Sequence, residues 1–180
     1  MAGQVTVQDE RFHARSFEPY WNESAWFGFH VPELDLGAYV YFYHRPNMRL
    51  SAGGVMIWDP SGSSEYDCLA FDWDRTQALR EHADMFNFQL DNGLAIACED
   101  HFKRYRIRHN GACQADLVWQ SVLDPFSIEV IGNRGLVGWA AAPVEYPTGH
   151  YEQFGRITGS ITVEGREIPV DSFSIRDHSW

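Results

Sequence analysis

Imidazole, carboxylate, guanidinium and indole groups gather at the two ends of one stretch of this chain, GHYEQFGRITGSITVEGREIPVDSFSIRDHSW, residues 149–180. His150 and Glu152 open it, and Arg176, Asp177, His178 and Trp180 close it. Between them two alternating runs flank Glu164-Gly165, a hairpin signal because glycine takes positive φ without a Cβ clash. A hairpin closing there sets the first group beside the second. Histidines beside carboxyls offer two chemistries, metal ligation and proton transfer.

For a metal the spacing is poor. On a strand His150 and Glu152 share a face, whereas Asp177 and His178 point to opposite faces, so at most three of the four converge on one ion. No HExxH or Cys-His zinc spacing occurs, and no metal or cofactor is expected; a metal-dependent hydrolase stands only as a third class. Proton transfer fits better. A carboxyl in an aromatic, poorly hydrated pocket keeps its proton near neutrality, and Asp177 facing inward is the expected donor. His178 and His150 are its expected partners, Glu152 a second acid or base, and Arg176 the group that sets their charge. Trp180 offers an aromatic face to a developing cation. Tyr39, Tyr41 and Tyr43, alternate residues of one run, suit the wall of a ligand site. Each residue also has a structural reading: Arg176-Asp177 as a strand-end pair, His178 bonded to nearby backbone, and the tyrosines as a packing face. His30 and His44 are weaker candidates, and Ser179 lies in no nucleophile-elbow context.

The elements that must position these groups are strands. AWFGFHV (25–31), AYVYFYH (38–44) and RLSAGGVMIW (49–58) are rich in aromatic and β-branched residues and are bounded by Pro, Asp and Gly signals. EYDCLAFDW (65–73) continues the pattern. Strands are expected again over 85–90, 94–99, 102–109, 114–123 and 126–131, with turns at Asp91-Asn92-Gly93 and Asn110-Gly111. DRTQALREHAD (74–84) reads equally as a helical turn capped by Asp74 or as a connector. Gly53-Gly54 marks a bulge, residues 132–146 form a loop or short helix, and the entry segment tucks Tyr20 and Trp21 onto the core. About ten strands with almost no helix predict an all-β fold, an antiparallel barrel or sandwich.

Composition narrows the partners. A chain of 180 residues that is 44% hydrophobic suits one domain with one core. Its net charge of −11 argues against nucleic acid and anionic membranes, which need basic surfaces. Cys68, Cys98 and Cys113 are an odd number without a CxxC pair, and read as free thiols. The first residues lack a secretory signal and no stretch reaches the length of a membrane span, so the expected location is the cytoplasm.

The closing stretch also carries a resemblance. Gly149, His150, Glu152, Gln153, Gly155, Arg156, Gly159, Val163, Gly165 and the run Arg176–Trp180, with Trp21-Asn22-Glu23-Ser24 earlier, resemble the lipocalin-like superfamily that includes carotenoid hydratase (hydroxyneurosporene synthase), and most of all its uncharacterised bacterial relatives. The resemblance implies two β-barrel or sandwich domains with a pocket for a hydrophobic substrate near their junction, and hydratase or cyclase chemistry. It implies that residues 1–180 are the first of those domains, ending within the R-D-H-S-W motif, with a C-terminal domain as partner. The expected function is binding of an isoprenoid, steroid or polyketide-like molecule, with acid-catalysed hydration or cyclisation of an alkene. The alternative is a non-catalytic ligand-binding or structural β module that packs on a second domain.

Overall fold

Alternation of apolar and polar side chains writes itself into the backbone as strands with one buried face. The computed structural model describes residues 5–13, 18–64, 67–72, 76–81, 83–127 and 149–180. Twelve strands form among these residues: β1 (Glu23–Val31), β2 (Leu36–Arg45), β3 (Leu50–Trp58), β4 (Ala70–Asp72), β5 (Gln77–Ala78), β6 (Asn87–Gln89), β7 (Ala95–Asp100), β8 (Arg104–Asn110), β9 (Gln114–Ser121), β10 (Phe126–Ser127), β11 (His150–Val163) and β12 (Arg166–Ser179). They make one antiparallel sheet in the order β4-β3-β2-β1-β12-β11-β9-β8-β7-β6, with β5 on β3 and β10 on β11. The sheet curls into a half-barrel, so the all-β, lipocalin-like architecture expected from the sequence is the one observed.

Inward residues of opposite strands meet inside the curl. Phe27 and Phe42 both touch Phe86, which reaches in from the turn before β6 and is fully buried. Tyr105, Trp119 and Ile157 complete the centre, and full burial of each such side chain stabilises the fold by about 1.5–3 kcal/mol. The two ends of the sheet are tied by polar contacts. Asn92, in the β6–β7 turn, donates to the carbonyls of Gly53 (2.8 Å) and Asp72 (3.2 Å). Ala112 N–H donates to Asp72 Oδ2 at 3.0 Å.

The β11–β12 hairpin turns at Glu164-Gly165, whose φ values of 52° and 76° are the paired left-handed conformations of a two-residue hairpin loop. The fourteen residues of each strand pair without a break from His150↔Ser179 to Val163↔Arg166.

Several local expectations change. Over 74–84 the described residues form a connector, not a helical turn: Gln77 and Ala78 pair with Ser51 and Leu50, giving this backbone a partner outside itself. Met85 and Phe86 sit in a turn as core plugs, and the strand begins at Asn87. Gly53-Gly54 is not a bulge, because the register Phe42↔Gly53, Tyr41↔Gly54 is continuous. Trp21 is buried but Tyr20 is exposed. The reading of 132–146, residues 128–131 of the strand expected at 126–131, and Asp74 itself lie outside the described residues. The three cysteines are free thiols, and no helix of the described residues is long and apolar enough to cross a membrane.

Candidate functional site

Strand alternation divides the candidate residues between the two faces of the sheet. On the outer face, one cross-strand row runs Tyr41, Trp26, Asp177, Glu152, Phe126. A row to one side runs Tyr43, Ser24, Ser179, His150, and a row to the other runs Tyr39, Gly28, Ile175, Phe154. Six of the residues singled out from sequence, Asp177, Glu152, His150, Tyr39, Tyr41 and Tyr43, therefore share a face. Arg176, His178 and Trp180 are on the other. The acid thus faces outward rather than inward, and His178 does not stand beside it, because adjacent residues of one strand point to opposite sides.

The surroundings of Asp177 set its chemistry. Its Oδ1 accepts the Trp26 backbone N–H at 3.0 Å. His150 Nδ1 lies 2.7 Å from Ser179 Oγ and 3.9 Å from Asp177 Oδ2, and its Nε2 is 3.6 Å from Glu152 Oε1. Burial pushes the Asp177 carboxyl up to about 7, with the Glu152 charge adding to the rise and the Trp26 hydrogen bond opposing it. The carboxyl is thereby held far above the usual carboxylate range, toward neutrality. The Trp26 indole beside it covers Gly28, where a Cβ would sit 2.4 Å from the ring. Further along the face, Tyr39, Met56, Trp58 and Cys68 line a cavity of about 380 Å³ that also meets Asp59 and Asp67. This lies within the size range of small-molecule sites.

The inner face carries a charge cluster that sequence reading missed in part. Arg176, fully buried, donates to Gln153 Oε1 from Nε (3.0 Å) and Nη2 (2.7 Å), and to Glu10 Oε1 from Nη2 (2.9 Å). Tyr105 and Tyr151 hydroxyls donate to the same Glu10 carboxylate. The guanidinium lies 4.4 Å from the Tyr105 ring centroid and 5.2 Å from that of Trp119. Burial alone raises the Glu10 carboxyl, but the Arg176 charge and the two phenols outweigh it and hold the group below the usual carboxylate range. Burial likewise keeps both phenols protonated. Every charge here is answered, so the cluster locks the entry segment into the curl.

His178 is also inside. Its Nδ1 is 2.8 Å from the Asp9 carbonyl oxygen and its Nε2 is 3.3 Å from Glu23 Oε2. Trp180 stacks on His13 at 3.8 Å and crosses Gly149, where a Cβ would meet the indole at 2.1 Å. Glu10, His13, Tyr105 and Tyr151 were not legible as site residues: Glu10 meets Arg176 across 166 positions of sequence, beyond any periodic signal. Glu23 and Gln153 did stand in the recognised motifs.

A curled antiparallel half-barrel with a charged, aromatic-lined interior defines a lipocalin-like β domain. Residues 6–180 match the family described as a domain of unknown function, DUF7064, and the chain belongs to that family. No curated protein matches the sequence. Among solved structures the fold is similar to that of a crystal structure from Nitrosomonas europaea, described as a candidate AttH, with 16% identity and a TM-score of 0.57. That likeness covers 93% of this chain and 56% of the other, so the chain spans little more than half the length of its structural relative.

Proposed function

We propose that this domain binds a hydrophobic, alkene-containing small molecule, of isoprenoid, steroid or polyketide type, along the aromatic outer face, and that Asp177 protonates it. The observation that carries the reading is the shared face. A half-buried acid whose carboxyl is raised by burial toward neutrality stands in one row with Tyr41 and Trp26. The Tyr39–Trp58 cavity opens two strands away, about 10 Å at ordinary strand spacing. A molecule seated in the cavity extends over Tyr39 and Trp26 to the carboxyl.

The proton passes from Asp177 to one alkene carbon, the π pair becomes the new C–H bond, and the adjacent carbon becomes cationic. The Trp26 and Tyr41 ring faces stabilise that charge. Water adds to the cation and gives its proton to Glu152 or His150, which is hydration. In cyclisation the π pair of a second alkene of the same molecule forms the ring C–C bond instead, and the resulting ring cation loses a neighbouring proton to Glu152 or His150. The test is product formation from alkene-bearing isoprenoids by the wild type and by Asp177→Asn. Loss of turnover by about 100-fold or more with ligand affinity kept is expected, since general acid catalysis contributes about that much. Equal turnover by the variant would remove Asp177 from the role.

A specific observation favours the second reading, a non-catalytic module on a second domain. Phe154, Phe173 and Trp58 are exposed on the same outer face. Binding by the wild type without any product, in the presence or absence of further C-terminal chain, would select it.

A further inference from the structure

We infer that His13, Glu23 and His178 form a binding site for a divalent transition metal of the zinc type, which clamps the entry segment to β1 and β12. His13 Nδ1 lies 3.1 Å and His178 Nε2 3.3 Å from one oxygen, Glu23 Oε2, and the three ligand atoms fall within 4.8 Å of one another. Tetrahedral zinc with bonds of about 2.0–2.1 Å has ligand-to-ligand edges of about 3.3 Å. Two of the trio's three edges, His13–Glu23 and His178–Glu23, already have that spacing, and the third, between the two nitrogens, is no longer than 4.8 Å.

The nitrogens away from the centre make the stronger case. His178 Nδ1 faces the Asp9 carbonyl oxygen at 2.8 Å, and His13 Nε2 faces Asp9 Oδ1 at 3.5 Å. All four ring nitrogens therefore point at acceptor oxygens. A neutral imidazole has one proton, so two neutral rings satisfy two of these four contacts. Two imidazolium rings would satisfy all four, but they would set two cations 5.6 Å apart between ring centres, one of them fully buried. A metal ion resolves the arrangement: each ring gives a lone pair to the ion and donates its remaining N–H outward, to backbone carbonyl in one case and to carboxylate in the other. These are the partners that ligating histidines ordinarily have.

The rest of the site holds the donors still. Glu23 Oε1 is taken by the His13 backbone N–H at 2.7 Å, leaving Oε2 as a single-oxygen ligand. Trp180 stacks on His13 with ring planes 10° apart and fixes its tilt. His13 keeps about a fifth of its side chain exposed, which gives an ion a way in and room for a water as fourth ligand. A second convergence, Glu10, Cys98 and His101, lacks this character. Burial and the Glu10 charge push the Cys98 thiol up to about 12, and Glu10 is committed to Arg176.

The ion would hold the segment that carries Glu10, three residues before His13, over Arg176. The test uses metal-stripped whole protein titrated with Co²⁺, read by visible d–d absorption, and with Zn²⁺, read by metal content after desalting and by thermal midpoint. Expected are one ion per chain, the intense visible band of tetrahedral cobalt, and a higher midpoint that chelator reverses. His13→Gln, on the partly exposed ligand, should lose the band and weaken affinity by more than about 100-fold with its circular dichroism unchanged. His30→Gln, at an exposed position outside the trio, should bind as the wild type does. Absence of stoichiometric binding by either ion, or unchanged affinity in His13→Gln, would overturn the assignment.

Discussion

At the scale of single residues, two acids with opposite environments define the two faces. Asp177 has its carboxyl raised from 3.8 to about 7 by burial, so its ionisation is easier in the unfolded chain than in the folded one. Its stabilising contribution is complete below pH 3.8 and is lost as pH rises to about 7. Asp177→Asn keeps an oxygen for the Trp26 N–H and removes the penalty. The variant is expected to be more stable than wild type at pH 8 by about 2–4 kcal/mol, with little difference at pH 4, as measured by urea unfolding at the two pH values. Glu23 behaves in the opposite sense. Burial raises it, but hydrogen bonds from His13 and His178 bring it down to about 2, so its contribution is present above 4.5 and fades as pH falls toward 2. Inside the curl, Glu10 answers a fully buried guanidinium. Glu10→Ala leaves Arg176 unpaired and should cost about 3–5 kcal/mol, against a smaller loss for Glu10→Gln, which still accepts a hydrogen bond.

At the scale of elements, the β11–β12 hairpin is what sorts the chemistry. Its turn, its register and the shared face of His150 and Glu152 follow from glycine position and alternation alone, and all three were legible in the sequence. So was the opposition of Asp177 and His178. What alternation cannot say is which of two faces a curled sheet turns inward. The tyrosines of β2 and the core phenylalanines of β1 and β2 are all aromatic, so the pattern lacks the polar contrast that would assign a side. The entry segment was illegible for another reason: residues 6–13 make a short 3₁₀ turn and then a run with no period, and Glu10 has meaning only through partners on β8, β11 and β12. Residues 76–81 were ambiguous because their composition suits a helix while β3 offers them strand partners. One prediction belongs at this scale. Gly165 has φ of 76° and nothing within 4 Å of its missing Cβ, so Gly165→Ala meets no clash and should cost about 1 kcal/mol through backbone strain alone, read as a fall in thermal midpoint.

At the scale of the molecule, a packed interior and an aromatic exterior reverse the usual disposition of a ligand-binding barrel. The centre of the curl is filled by Phe86, Tyr105 and Trp119 around Arg176, so a site on the outer face accounts best for the tyrosine rows, the Tyr39–Trp58 cavity and Asp177 together. The most direct measurement is tryptophan quenching by a panel of isoprenoids, steroids and polyketides, with Tyr39→Ala and Tyr41→Ala beside the wild type and the exposed turn variant Gly165→Ala as a control. Saturable binding of one class, weakened about tenfold or more by each tyrosine change and unmoved in the control, is the expected result. Saturable binding that neither tyrosine change affects would place the ligand elsewhere and contradict the outer-face site, and no binding by any class would leave the domain a structural module.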